Sequence, residues 1–125
     1  MAASDHLNET LFHGTAYKFK KGEVILPASQ TNVKRNWGAK SKNDPNYAYA
    51  TDDLEQAKYF ASVASLFKEG QQPRVYQVEP VNLQTAGWRE KKFAGGKGGS
   101  STFREHASSE GYRVVKRVWT GKRAR

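Results

Sequence analysis

Leu11-Phe12-His13-Gly14-Thr15 is the stretch from which the rest of the chain can be read. Two apolar residues hand a histidine directly to Gly-Thr. A strand ending this way presents an imidazole and an open backbone, because glycine carries no Cβ to hold another group off. Further on, Asn46-Tyr47-Ala48-Tyr49-Ala50-Thr51 alternates aromatic and small residues, as a strand does, and runs into a helix start. The remaining chain reads as a frame that holds His13 and Tyr49 near each other.

That frame begins at Thr10 to His13 as a first strand, followed by a loop at 15–22 anchored by Tyr17 and Phe19. Glu23 to Leu26 is a short apolar run stopped by Pro27. Ala28 to Pro45 is a long irregular stretch containing Trp37. Tyr47 to Ala50 is a strand. In Asp52-Asp53-Leu54-Glu55 an acidic N-cap is followed three residues later by Glu, the pattern of a capping box. Leu54, Ala57, Ala61, Ala64 and Phe67 then recur at helical spacing, and Gly70 is a fitting stop, so a helix is predicted over 53–68. Its small residues predict close approach to a sheet. Arg74 to Glu79 is a strand closed by Pro80, and Asn82 to Ser101 reads as turn and loop. Thr102 to Ser109 has no decisive period. Tyr112 to Trp119 is a strong last strand. The division is a disordered leader at 1–9, one domain at 10–119 and a basic tail at 120–125.

At 125 residues the chain can bury one core without staples. It has no cysteine, which excludes a disulfide frame, a thiolate nucleophile and a Cys-based zinc site. His6, His13 and His106 lack metal-ligand spacing, so no metal is expected. No apolar run approaches the roughly 18 residues of a membrane span, and the acidic N-terminus is not a signal peptide. A cytoplasmic monomer is the expectation. Net charge is +9, and it is uneven: from Trp88 onward eleven Lys and Arg face three Glu, a net +8. Such a block attracts polyanions such as RNA, although it also serves solubility.

Taken singly, the candidate residues have ordinary explanations. A histidine after an apolar pair is commonly a satisfied interior residue. Tyr49 and Tyr59 can be core packing, and Glu110 can be a surface turn residue. Against these stand a Gly-Thr that follows His13 directly, two aromatics that can face one cleft, and a carboxylate placed just before a strand. A carboxylate there can hold a ribose hydroxyl and steady a cationic sugar centre. Gly95 to Ser101 is no phosphate loop, since Lys97 is followed by Gly, and no serine-hydrolase elbow is present.

In order, these segments resemble the ADP-ribosyltransferase fold, and within it the rifamycin ADP-ribosyltransferase family. His13-Gly14-Thr15 matches the family's His-Gly-Thr. Asn46, Tyr49 and Thr51 match its Asn-x-x-Tyr-x-Thr. Leu54, Ala57 and Tyr59 match its next helix, and Tyr76, Val78, Glu79 and Pro80 its Tyr-x-Val-Glu-Pro strand. Glu110-Gly111-Tyr112-Arg113-Val114-Val115 is similar to its late Glu-Pro-x-x-Ile-Val. The resemblance implies an α+β split β-sandwich with one main helix, gripping NAD in a cleft. It implies that His13 binds the adenosine-side ribose and that the Gly14 backbone, with Thr15 beside it, meets the nicotinamide side. Tyr49 would stack near the leaving ring, with Tyr59 as a second wall. One departure stands out. The family carries an acid a few positions after Glu-Pro, whereas 81–87 here holds none, only Asn82 and Gln84. That points to Glu110 as the catalytic acid, with His13 and Tyr49 completing the catalytic set. Ser108, two residues before Glu110, disfavours an arginine side chain as acceptor.

The expected activity is therefore NAD-dependent mono-ADP-ribosyl transfer to an acceptor hydroxyl or other nucleophile. The charge block ranks RNA slightly ahead of protein and both ahead of rifamycin, a pattern suited to a toxin or phage-type enzyme. The alternatives are a rifamycin-modifying enzyme, a related RNA 2′-phosphotransferase, and a catalytically degenerate nucleic-acid-binding module of the same fold.

Overall fold

The computed structural model describes residues 10–30, 46–66, 71–92 and 102–122. Expectations that fall on 1–9, 31–45, 67–70, 93–101 and 123–125 lie outside the described residues.

Seven strands and one helix make up the fold: β1 (Leu11–Thr15), β2 (Val24–Ile25), β3 (Ala48–Thr51), α1 (Leu54–Leu66), β4 (Arg74–Pro80), β5 (Ala86–Lys92), β6 (Thr102–Ser108) and β7 (Tyr112–Thr120). The strands form one antiparallel sheet in the order β2-β7-β4-β1-β3-β6-β5. β1 sits at its centre. All five of its residues pair with β4, from Leu11 opposite Val78 to Thr15 opposite Arg74. Its ladder to β3 has one register pair, Phe12 opposite Thr51. The sheet is thus firmly zipped on one side of β1 and barely joined on the other. β3 and β7 touch although β4 and β1 lie between them in strand order, so the sheet curls back on itself. This is the α+β, split-sandwich architecture expected from the sequence.

Each face of the central strands has its own core. Leu11, Tyr76, Val78, Tyr112 and Val114 pack with Ala48 and Ala50 of β3 inside the curl. On the other face Ala57 and Ala61 of α1 pack on Val75, with Phe12, Leu54, Val118 and Trp119 around them. The helix comes close because Gly14 lies beneath it. A Cβ on Gly14 would stand 2.0 Å from the Ala57 carbonyl oxygen and 2.8 Å from the Ala61 nitrogen. Small residues on both sides of this contact explain why Ala, not Leu, fills the buried face of α1.

The helix starts one residue later than the sequence pattern suggests. Asp53 is the cap: its carboxylate accepts the Gln56 N–H at 2.8 Å. Asp52 instead accepts the Arg104 N–H at 2.8 Å and ties the β3–α1 turn to β6. A second correction concerns Asn82 to Ser101, read as turn and loop. Residues 86–92 form β5, paired with β6 from Ala86–Ser108 to Lys92–Thr102. β5 is the last strand of the sheet, and four of its last five residues are Lys, Arg or Glu. Edge strands tolerate, and commonly need, such charges, because an apolar exposed edge pairs with other chains. That composition hid the strand. β6, undecided from its sequence, is paired on both sides, and its inward His106 and Ser108 are fully buried. Polar residues on a buried face erase the alternation that marks a strand.

Candidate active site

At the weak seam between β1 and β3, the side chain of His13 takes over from the ladder. Its Nδ1 lies 2.7 Å from the Tyr49 carbonyl oxygen. A carbonyl can only accept, so Nδ1 carries the proton. Burial pushes the His13 pKa below its ordinary value, and the bond to Tyr49 opposes this only in part. The ring is therefore neutral at pH 7, and its other nitrogen, Nε2, keeps its lone pair. Such a ring, fixed in tautomer by a backbone carbonyl, presents a defined acceptor to a hydroxyl. Phe19 meets the His13 ring edge to face, with centroids 6.5 Å apart. Phe19 is held in turn by its own N–H, which donates to the Tyr76 hydroxyl at 2.8 Å, and by the Tyr76 ring at 5.6 Å.

The other expected site residues fall as follows. Tyr49 reaches His13 through its main chain. Ala48 and Ala50 face the interior of the curl, so strand alternation carries the half-buried Tyr49 ring to the opposite side of β3. Thr15 is buried, and its hydroxyl accepts the Tyr17 N–H at 3.0 Å, closing the turn after β1. Gly14 has a packing role under α1 that the sequence did not show. Tyr59 lies on the outer side of α1, 36% exposed, beside the Phe60 ring at 5.9 Å.

Glu110 is exposed in the turn from β6 to β7. Among the described residues, no hydrogen bond or ion pair joins it or Tyr59 to His13. Glu110 is nevertheless fixed in place. Asn82 Nδ2 donates to its carboxylate at 2.7 Å, and its own N–H donates to Ser108 Oγ at 3.2 Å. Ser108 Oγ also lies 3.3 Å from Thr85 Oγ1. The turn after Pro80 and the turn before β7 are thereby tied together. Gly111 completes the arrangement with φ +92°, and a Cβ there would stand 2.3 Å from the Ile25 carbonyl oxygen. The relatives' Glu-Pro could not follow this path, since proline is held near φ −65°. Nothing in the local sequence marks Asn82 as the partner of Glu110, because the contact spans 28 residues. Its only local trace is the Asx turn in which Asn82 Oδ1 accepts the Gln84 N–H at 2.9 Å.

A curled antiparallel sheet with one helix on its outer face is consistent with a small ADP-ribosyltransferase-like fold. The chain matches the rifampin ADP-ribosyl transferase family over residues 11–119, and it belongs to that family. Members of that family are transferases that use NAD. A search of the curated proteins found no match to this chain. Among the described residues no cluster of His, Asp or Glu could hold a metal ion. No helix among them is long and apolar enough to cross a membrane.

Proposed function

We propose that the protein is an NAD-dependent mono-ADP-ribosyltransferase acting on an acceptor hydroxyl. The observation that carries this reading is the His13–Tyr49 bond at 2.7 Å. It leaves Nε2 as a fixed acceptor at the β1–β3 seam, where the ladder is down to one register pair, which suits a ribose hydroxyl. The Gly14 backbone runs beside it and suits a carboxamide. Tyr49 contributes the carbonyl that fixes the His13 tautomer; its ring lies on the other side of β3 and Tyr59 on the outer side of α1, so neither ring faces His13.

The chemistry is substitution at the ribose carbon that bears nicotinamide. The acceptor oxygen forms a bond to that carbon while the bond to the ring nitrogen breaks. The electron pair stays on nicotinamide, which leaves neutral, and the acceptor's proton passes to solvent or to a nearby base. The transition state carries positive charge on the sugar, so a fixed carboxylate lowers the barrier. Glu110 takes that role. Asn82 holds it against the turn after Pro80, from which other members of the family draw their acid and which has none here. Members of the family have rifampin as acceptor, and family membership supports a rifamycin here. A second reading, RNA as acceptor, is favoured by the net charge of +9 and its basic surface.

Calorimetric titration of NAD tests the reading. His13→Phe keeps the ring packing on Phe19 and removes both nitrogens. It should weaken NAD binding by about tenfold, the worth of one or two hydrogen bonds. Equal affinity in the variant would take NAD away from this seam.

A further inference from the structure

Beside the His13 seam lies a pocket of about 220 Å³ whose cations come from two distant parts of the chain. Lys18 and Lys21 come from the loop after β1, and Lys116 and Arg117 from β7. From these contacts we infer that the pocket is a docking site for the phosphodiester backbone of single-stranded RNA, which it holds next to the transfer site. This inference rests on the RNA-acceptor reading.

The cations are brought together by specific contacts. The loop is fastened to β7 by Gly22 N–H to Val114 C=O and by Val114 N–H to Glu23 C=O, both 2.8 Å. On β7 two irregularities interrupt the register with β4, between Val75 and Tyr76 and between Gln77 and Val78. In a regular strand Val114 and Arg117, three residues apart, would face opposite sides. The irregularity opposite Gln77 and Val78 lies between them and brings both to the same pocket, which Lys116 also lines. Four like charges converging on one concavity repel one another, and no ion pair to a carboxylate relieves any of them among the described residues. The nearest acid in the loop, Glu23, spends its carboxylate on the Lys20 N–H at 2.7 Å. A surface kept basic in this way complements a polyanion.

Position and chemistry favour RNA. His13, Tyr76 and Arg117 are register partners across β1, β4 and β7. Arg117 therefore stands two strand spacings, about 10 Å, from the His13 column. A strand held by its phosphates in the pocket keeps its sugar hydroxyls within about one nucleotide of the seam. Tyr17, 36% exposed at the same loop, is 6.2 Å from Phe19 and offers a face on which a base can stack. The 2′-hydroxyl of RNA supplies the nucleophile that the reaction requires.

The test uses the full chain and a fluorescein-labelled oligouridylate of roughly 12 nucleotides, read by anisotropy over a salt series. No NAD is present, so a failure of catalysis does not enter the result. Four phosphate contacts give log K a slope of about −2.8 against log salt. Lys116→Ala with Arg117→Ala should reduce that slope to about −1.4 and weaken binding roughly 25-fold at 0.1 M salt. Arg113→Ala with Lys122→Ala removes the same charge away from the pocket and should change binding less than threefold. Melting curves verify that both double variants fold, and the KM for NAD is measured in each. Three results would overturn the inference. One is an equal loss in both double variants, which would mean bulk charge. Another is an unchanged RNA affinity with a raised KM for NAD, which would give the pocket to the dinucleotide's own phosphates. The last is competition by polyglutamate of equal charge as strong as that by unlabelled RNA, which would mean an acidic protein partner.

Discussion

Replacing Gly14 by alanine perturbs the centre of the fold with a single methyl group. The φ of Gly14 is not positive, so backbone strain plays no part in the outcome. The new Cβ would lie 2.0 Å from the Ala57 carbonyl oxygen, where real Cβ contacts essentially never fall below 3.0 Å. Helix α1 must therefore retreat by at least about 1 Å. The offending atoms are backbone, so no rotamer change relieves the clash. A gap of that size forfeits a quarter to a half of each contact's attraction across the helix–sheet core. Overpacking of this kind costs about 1–3 kcal/mol, and this case belongs at the upper end. Alanine returns about 0.4–1 kcal/mol by restricting the unfolded chain. The net loss is about 2 kcal/mol, which lowers the melting temperature of a domain this size by roughly 8 °C. Circular dichroism melts of Gly14→Ala, alone and with Ala57→Gly, are the assay. The second substitution should not rescue the first, because the clash is with the carbonyl of residue 57 and not with its side chain. A melting point within about 2 °C of the wild type, or rescue by Ala57→Gly, would refute the packing account.

Two further predictions concern the chemistry. Glu110→Gln should lower kcat by about two orders of magnitude with little change in the KM for NAD, while Asn82→Ala should cause a smaller loss by releasing the carboxylate; unchanged turnover in Glu110→Gln would place the acid elsewhere, with Glu79 the next candidate. Protonating His13 turns Nε2 from acceptor to donor, so kcat/KM for NAD should fall on the acid side with a midpoint below the ordinary imidazole value of 6.5, and His13→Phe should lack that limb. The stability linkage has the same sign: the unfolded chain takes up a proton that the folded ring resists, so the His13 contribution is complete above about pH 6.5 and declines as pH falls towards the lowered pKa.

Much of this was legible in the sequence because local chemistry dictated it. The Asp52-Asp53 pair before Leu54 and the alanine spacing of α1 announce a helix packed closely on a sheet, although the cap proves to be the second Asp, and Pro80 marks a strand end. His13 and Tyr49 drew attention through the residues around them, Gly14 and the flanking alanines. What stayed hidden depends on contacts between distant residues. β5 looked like loop because a sheet edge favours charge. His106 and Ser108 broke the alternation of β6 from inside a buried face. Gly14 suggested ligand access, yet the nearest group to its missing side chain is the Ala57 carbonyl. The tether of Glu110 to Asn82 and the convergence of Lys18 and Lys21 with Lys116 and Arg117 exist only once β7 is bulged and the sheet has curled.

Transfer of ADP-ribose from NAD is read out by mass spectrometry of the acceptor. The protein is incubated with NAD and, in separate reactions, rifampin and RNA, while free nicotinamide is measured. One acceptor should gain a single ADP-ribose unit for each nicotinamide released, and Glu110→Gln should lower both signals together by about two orders of magnitude. NAD left intact by the wild-type protein in the presence of every acceptor, with no adduct formed, would contradict it.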